Sequence, residues 1–339
     1  FLNLELFFRI DDVGLLPTIA KSLGYKIDKN TEHTDEYASI IPNFQEQQNH
    51  STQNPATAYI PISTCNQFCA FCIVPYARGL EKYFPVEKII EEAKIHLANG
   101  AKEIILLGQI VNKHPQFKEI LTQILELPLE RLRYTSPYPS YYTKEIFDLH
   151  QKAEKLCPHI HIPLQSSNKI LKKMFRGYTA EQFKESIDNI KELKRPISIT
   201  TDIIVFPDED EIDFSETLEL TKYAQFDMIY IGIYSPRKGT YAEQKIPDNV
   251  PYATKHKRRD QLNNLLIKLS MQNNKAEEQH KKILIDSCTK SSEIFLIQGH
   301  TENMKTVERE SSHPLTTGTF TNKTITKTQS LKLYASDEA

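Results

Sequence analysis

"AYIPISTCNQFCAFCIVPYARG" (residues 58–79) runs from a short β-rich segment straight into a loop holding Cys65, Cys69 and Cys72. The order of strand then loop decides the fold, because it recurs down the chain. After the loop, Val86, Ile89, Ile90, Ala93 and Leu97 repeat at helical spacing and stop at Asn99-Gly100, a helix C-terminal signal. "KEIILLGQ" (102–109) is almost wholly apolar, as strands buried on both faces of a parallel sheet are. A helix over 115–126 follows. The alternation returns with "RLRYTS" (131–136) and a helix over 143–152, then "HIHIPLQ" (159–165) with helices over 168–175 and 179–193. It returns again with "ISITTDIIV" (197–205) and a helix over 211–224, then "DMIYIGIYS" (227–235) and a helix over 255–277. Six such units predict an α/β fold, a partial (β/α)6 barrel over 58–277. Loops after the strands carry the chemistry in such barrels, and Cys65 follows the first strand directly.

Beyond residue 277 the texture changes to short β-rich runs: "KKILIDS", "SEIFLIQG", "GTFTNKTITKT" and "SLKLYA". They predict a small antiparallel, OB-like all-β barrel over 278–339. Residues 31–57 are polar and weakly periodic, which reads as a linker, and residues 1–30 as the tail of a further domain. The net charge of −2 is no bulk signature of a nucleic-acid coat, so any RNA contact has to be a local patch. No apolar run approaches the roughly 20 residues that span a bilayer, and the acidic start is unlike a signal peptide. A cytoplasmic protein without a membrane segment is expected.

Five cysteines make a poor disulfide framework for 339 residues. The Cys-x3-Cys-x2-Cys spacing can wrap one compact centre. Structural zinc takes four ligands, and no fourth Cys or His lies nearby in the loop. Iron–sulfur clusters are held by thiolates, and three of them on a four-iron cluster leave one iron open. A zinc site or buried thiols are the competing readings.

In its full context, "CNQFCAFCIVPYARG" (65–79) resembles the signature of the radical S-adenosylmethionine (SAM) enzymes, and among them the methylthiotransferases. The resemblance implies a [4Fe–4S] cluster on Cys65, Cys69 and Cys72. SAM would chelate the open iron and be cleaved reductively to methionine and a 5′-deoxyadenosyl radical, with Phe71 near the adenine. "EIILLGQIVN" (103–112) resembles the family's second-strand motif, which implies that Gly108 and Gln109 face SAM. "CPHIHIPLQSS" (157–167) resembles the fourth-strand motif and assigns the cofactor Gln165 and Ser166. "SITTDIIVFPDE" (198–209) and "YSPRKGT" (234–240) resemble later motifs and add Asp202 and Arg237. "GHTENMKTV" (299–307) looks like the start of a TRAM domain, a small RNA-binding β-barrel.

"LLGQ" with "IVPYARG" is most similar to the MiaB type, which implies methylthiolation at carbon 2 of N6-isopentenyladenosine beside the tRNA anticodon. Related branches act on N6-threonylcarbamoyladenosine or on a ribosomal-protein aspartate. The implied partners are the tRNA anticodon stem-loop and a flavodoxin- or ferredoxin-type electron donor, with a monomeric chain.

Several family features are absent from these residues. A second cluster, the sulfur donor, belongs in an N-terminal domain with three more cysteines; residues 1–30 resemble only that domain's tail. For this chain alone the expectation is SAM cleavage without sulfur insertion, and the alternative is an inactive RNA-binding remnant. Cys157 precedes its strand, at the end opposite Cys65, and Cys288 lies in the small β domain; both read as buried hydrophobes. Thr64, Ser167, Val205 and Asp208 stand where glycine is usual, which predicts a narrowed or distorted SAM pocket. Tyr138 replaces a usual His. "KHKRR" (255–259) reads as a solvated charge run, or else a phosphate contact, Arg78 and Arg237 as anion contacts or surface ion pairs, and His159 and His161 as structural.

Overall fold

The computed structural model describes residues 56–277 and 280–336. The expected remnant domain and nearly all of the linker lie outside the described residues. Six parallel strands build the first domain: β1 (Thr57–Pro61), β2 (Glu103–Leu107), β3 (Arg131–Tyr134), β4 (His159–His161), β5 (Ser198–Val205) and β6 (Met228–Ile233). They form two three-stranded sheets, β1-β2-β3 and β4-β5-β6. One isolated parallel bridge, Leu132 to Leu156, joins the halves, reinforced by the Cys157 N–H to Leu132 carbonyl bond at 3.0 Å. Neither β1 nor β6 pairs with the other among the described residues, so the barrel is open between its edges, as six strands predict.

Apolar residues on the outward face of the strands bury themselves under helices. Ile60, Ile104, Leu106 and Leu132 meet Ile89 and Ile90 of α2 (Val86–Ala98) and Phe117, Ile120, Leu121 and Ile124 of α3 (Phe117–Leu125), while α1 (Val74–Arg78) is a single turn on the cysteine loop. Burial of this kind contributes roughly 1.5–3 kcal/mol per large side chain. In the second half, α4 (Lys144–Lys152), α5 (Asn168–Lys173), α6 (Ala180–Lys191) and α7 (Glu211–Ala224) cover the strands, with Phe183, Ile187 and Phe226 fully buried. Reciprocal capping boxes start two of these helices: Thr179 with Gln182 for α6, and Asp210 with Asp213 for α7. A short α8 (Tyr241–Lys245) precedes α9 (Tyr252–Asn274).

The charge run at the start of α9 is solvated only in part, with Lys257 exposed. Lys255 and Arg258 are buried; the first pairs with Asp248, and the second with Glu209 at 3.3 Å and Glu211 at 2.7 Å. One acid seven residues upstream and two acids nearly 50 upstream turn these two residues into internal anchors.

The second domain is a closed barrel of five strands in the order β10-β11-β9-β8-β7. These are β7 (His280–Ser291), β8 (Ile294–His300), β9 (Thr306–Ser311), β10 (Phe320–Thr328) and β11 (Leu333–Ser336). The β9 strand was not expected, and its pairing with β11 is parallel, Leu333 opposite Val307, so the barrel is not wholly antiparallel.

A buried charge cluster couples the two domains. Arg131 donates to the carbonyls of His300 and Lys282, and Arg133 to that of Thr301 at 2.9 Å. Glu103, fully buried, accepts from Arg133 at 3.2 Å and faces His300, whose other ring nitrogen faces Asp286 at 2.8 Å.

Candidate active site

The loop after β1 turns into its first cysteine through a side-chain clamp. Thr64 Oγ1 accepts from the Lys82 N–H at 2.7 Å and donates to the Leu80 carbonyl at 3.2 Å. Of the four positions where glycine is usual, only Asp208 lies in the left-handed region (φ 58°), and Lys173 and Asn249 hold its carboxylate there. The pocket is not closed off. A cavity of about 670 Å³ opens where the strands end, lined by Cys65, Cys69 and Cys72 from the loop and by groups from both half-sheets.

All five cysteines are free thiols. Cys65 and Cys69 are buried and Cys72 is half-buried; Cys157 is buried at the base of the barrel beside Arg131 and Arg133, and Cys288 is half-buried on β7. Burial raises the Cys65 and Cys72 thiols above their usual range, while backbone N–H groups of Gln67 and Val74 pull the other way. The Gln67 N–H lies 3.2 Å from Cys65 Sγ, and Arg176 Nη1 lies 3.3 Å from Cys69 Sγ. Donors aimed at sulfur favour the thiolate, the form that binds metal. Among the described residues no three Cys, His, Asp or Glu side chains converge on one point as a single-ion site requires. A four-iron cluster asks for something different, since each thiolate binds its own iron. The donor set therefore fits such a cluster, with the thiol protons leaving as metal binds.

Four of the predicted cofactor residues line this cavity: Phe71, Gln109, Gln165 and Asp202. Gln165 is 5 % exposed, has φ 67°, and its Oε1 has no hydrogen-bond partner, so it presents an unsatisfied polar atom to whatever binds there. Phe71 meets Phe206 edge-to-face at 6.1 Å. Three others are placed differently. Gly108 is packed where a Cβ would lie 2.4 Å from Ser63 Oγ; Ser166 is buried and donates to Glu209 at 2.8 Å; Arg237 is exposed on the turn after β6. Arg78 is exposed at the end of α1.

Two groups escaped the sequence reading. Arg176 stacks over Tyr138 and Tyr178, at 4.6 and 5.2 Å from their centroids, and so reaches from the second half-sheet to Cys69 in the first. The Tyr138 hydroxyl accepts from the Gly177 N–H at 2.5 Å, which shows what the tyrosine in place of a histidine does. His161, expected to be structural, lines the cavity with its Nε2 3.1 Å from Asp202 Oδ2 and Nδ1 3.0 Å from Thr200 Oγ1. A lone His in a strand carries no sequence signal for this; the i+41 pairing with Asp202 exists only once β4 and β5 are in register.

The family model described as the radical SAM superfamily matches residues 59–221, from β1 into α7. Residues 59–221 belong to the radical SAM superfamily. Over 267 residues it is 40% identical to a tRNA-2-methylthio-N(6)-dimethylallyladenosine synthase of Clostridium botulinum, covering 75% of this chain and 59% of that protein. A protein of the same name from a Thermoanaerobacter species is 41% identical over 274 residues, covering 78% and 54%. The chain thus spans between about half and two thirds of the length of these relatives. Among solved structures, Streptococcus suis SuiB overlays with a TM-score of 0.48 at 14% identity, covering 74% of this chain and 55% of that one. The superfamily implies a [4Fe–4S] cluster and SAM. No helix among the described residues is long and apolar enough to cross a membrane.

Proposed function

We propose that this chain is the SAM-cleaving part of a cytoplasmic tRNA methylthiotransferase acting on N6-isopentenyl (dimethylallyl) adenosine beside the anticodon. The observation that carries this reading is one cavity lined both by three free thiols and by the unsatisfied Gln165 carbonyl oxygen. The relatives' printed names supply the substrate and the group transferred.

On this reading Cys65, Cys69 and Cys72 hold the cluster, which when bound supplies the electron that cleaves SAM. The chain's own residues position and shield. Arg176 holds a fixed positive charge against Cys69, stiffened by two tyrosine faces. Gln165 and Asp202 offer acceptors to hydroxyl or amino groups of SAM, and Phe71 an apolar face to its adenine. The closed C-terminal barrel serves as an RNA contact, and a flavodoxin- or ferredoxin-type protein delivers the electron. Sulfur insertion draws on a second cluster held by cysteines other than those of this sequence, because the remaining two, Cys157 and Cys288, do not line the cavity.

Anaerobic reconstitution tests the reading. A four-iron absorption band that is lost in Cys65→Ala, together with 5′-deoxyadenosine formed from SAM and dithionite, is the expected outcome. Binding of tRNA with neither band nor SAM cleavage would instead identify an RNA-binding remnant.

A further inference from the structure

The chain has only 10 glycines, and eight of them lie among the described residues. Seven have a local reason. Gly79, Gly100, Gly239 and Gly318 have positive φ, where other residues are strained. A Cβ on Gly108 or Gly299 would meet a neighbour at 2.4 or 2.3 Å, and one on Gly177 would lie 3.3 Å from Gln67 and Tyr138. Gly232 has neither reason. It sits within β6 without positive φ, and the nearest atom to a Cβ built there is the Ile203 carbonyl oxygen, 3.9 Å away. Glycine inside a strand weakens it, and a common reason for keeping it is the close approach of a ligand.

The space that Gly232 leaves is part of the cavity that the three cysteines line. Its neighbour across the sheet is Ile204, which is partly exposed in the same cavity wall. One step back along the same face of β6 stands Tyr230, 54% exposed, paired in register with Asp202 and in tilted contact with the His161 ring at 6.2 Å. The wall thus offers, side by side, an aromatic face with a hydrogen-bonding carboxylate and a gap bounded by an isoleucine.

We propose that Gly232 and Ile204 form the slot that receives the apolar N6 substituent of the substrate adenosine, with Tyr230 beside the base; this rests on the function proposed above. A planar base stacks on an aromatic side chain whatever its sequence context, so Tyr230 supplies contact and the slot supplies selection. An isopentenyl group is apolar and fits beside Ile204. A threonylcarbamoyl group carries a carboxylate, which would be brought next to Asp202, whose own carboxylate is 44% exposed. The guanidinium in the cavity wall, that of Arg176, is already turned to Cys69 and its two tyrosines.

The test uses the reconstituted full chain with SAM and three synthetic anticodon stem-loops carrying isopentenyladenosine, threonylcarbamoyladenosine or plain adenosine, with affinities read by fluorescence anisotropy. The parent is expected to bind the isopentenyl stem-loop at least about tenfold more tightly than the plain one, the discrimination that a few buried methylenes give. Gly232→Leu should bring that ratio to within about twofold and Gly232→Ala to an intermediate value, as added side-chain volume fills the slot. Because each ratio is taken within one variant, partial unfolding lowers both affinities and cannot produce this pattern. An unchanged ratio in Gly232→Leu, or a parent that prefers the threonylcarbamoyl stem-loop, overturns the slot. A parent that cleaves SAM yet binds isopentenyl and plain stem-loops equally overturns the slot and leaves the radical SAM reading standing; a parent with neither cluster nor SAM cleavage removes both.

Discussion

Replacing Glu103 by Gln should loosen the joint between the two domains by an amount that the site itself sets. Burial alone would raise this carboxyl, but His300, Arg133 and Arg131 outweigh burial and hold it at about 2, against an ordinary 4.5. At roughly 1.4 kcal/mol per tenfold change, that lowering favours the folded, ionised form by roughly 3 kcal/mol near neutral pH. The figure agrees with the approximately 3–5 kcal/mol lost when one partner of a buried ion pair is removed. The lower end applies, because Arg131 and Arg133 keep their carbonyl partners in the barrel. Burial would lower His300, yet Asp286 and Glu103 on its two nitrogens raise it above 6.5. The depressed carboxyl contributes fully above pH 4.5 and loses its contribution as pH falls toward about 2. The raised imidazole contributes fully below pH 6.5 and loses its contribution as pH rises through its folded value. The parent-minus-variant difference should therefore be largest between those limits and shrink as pH rises past neutrality. The chain has 16 tyrosines and no tryptophan, so urea titrations followed by tyrosine fluorescence and far-UV circular dichroism report it. A Glu103→Gln variant within about 1 kcal/mol of the parent near pH 6, or a difference that grows with pH, would refute this account of the joint.

Further outcomes follow from other parts of the structure. Gln225, exposed after α7 with φ 56°, takes the left-handed cap position that glycine usually fills. Gln225→Gly should stabilise by about 0.5–1 kcal/mol, a rise of roughly 2 °C in melting temperature; a fall would show that the cap is not strained. Arg176→Met removes the charged donor to Cys69, and the reconstituted cluster should then reduce at a lower potential, measured by redox titration with electron paramagnetic resonance. Burial raises the Glu209 carboxyl to about 7 even beside Arg258, so in Arg258→Leu it should take up a proton, and the lost bonds to Glu209 and Glu211 should show as a lowered midpoint in the same urea titrations.

The six strands were legible because parallel strands covered on both sides must be apolar runs, as in "EIILL" and "IIV". Helix α7 falls on the residues its pattern predicts, with Asp210 as its cap. The cysteine loop stood out by its spacing, which left an iron–sulfur cluster, a zinc site and buried thiols open until the surrounding residues showed the family resemblance. What stayed hidden depends on partners distant in sequence. Strand β9, "TVERES", places Val307 inward but reads as polar, and its parallel partner lies more than 20 residues later. Lys255 and Arg258 look like surface charge until Asp248, Glu209 and Glu211 meet them. Arg176 gives no hint in the sequence of the two tyrosine rings that hold it against Cys69.

The two half-sheets meet at a single bridge between Leu132 and Leu156. Cys65 and Tyr138 stand on one side of that seam, and Gln165, Asp202 and Tyr230 on the other. The cysteine loop is also tied to the second half, where Ala70 donates to the Met174 carbonyl at 2.9 Å and accepts from the Ala242 N–H at 2.8 Å, so the thiols are held to both half-sheets. The separation between the thiols and the wall that faces them is therefore fixed by these loop contacts and not by the seam angle alone. Arg176, gripped by Tyr138 from the first half and Tyr178 from the second, adds a side-chain strut to those backbone ties.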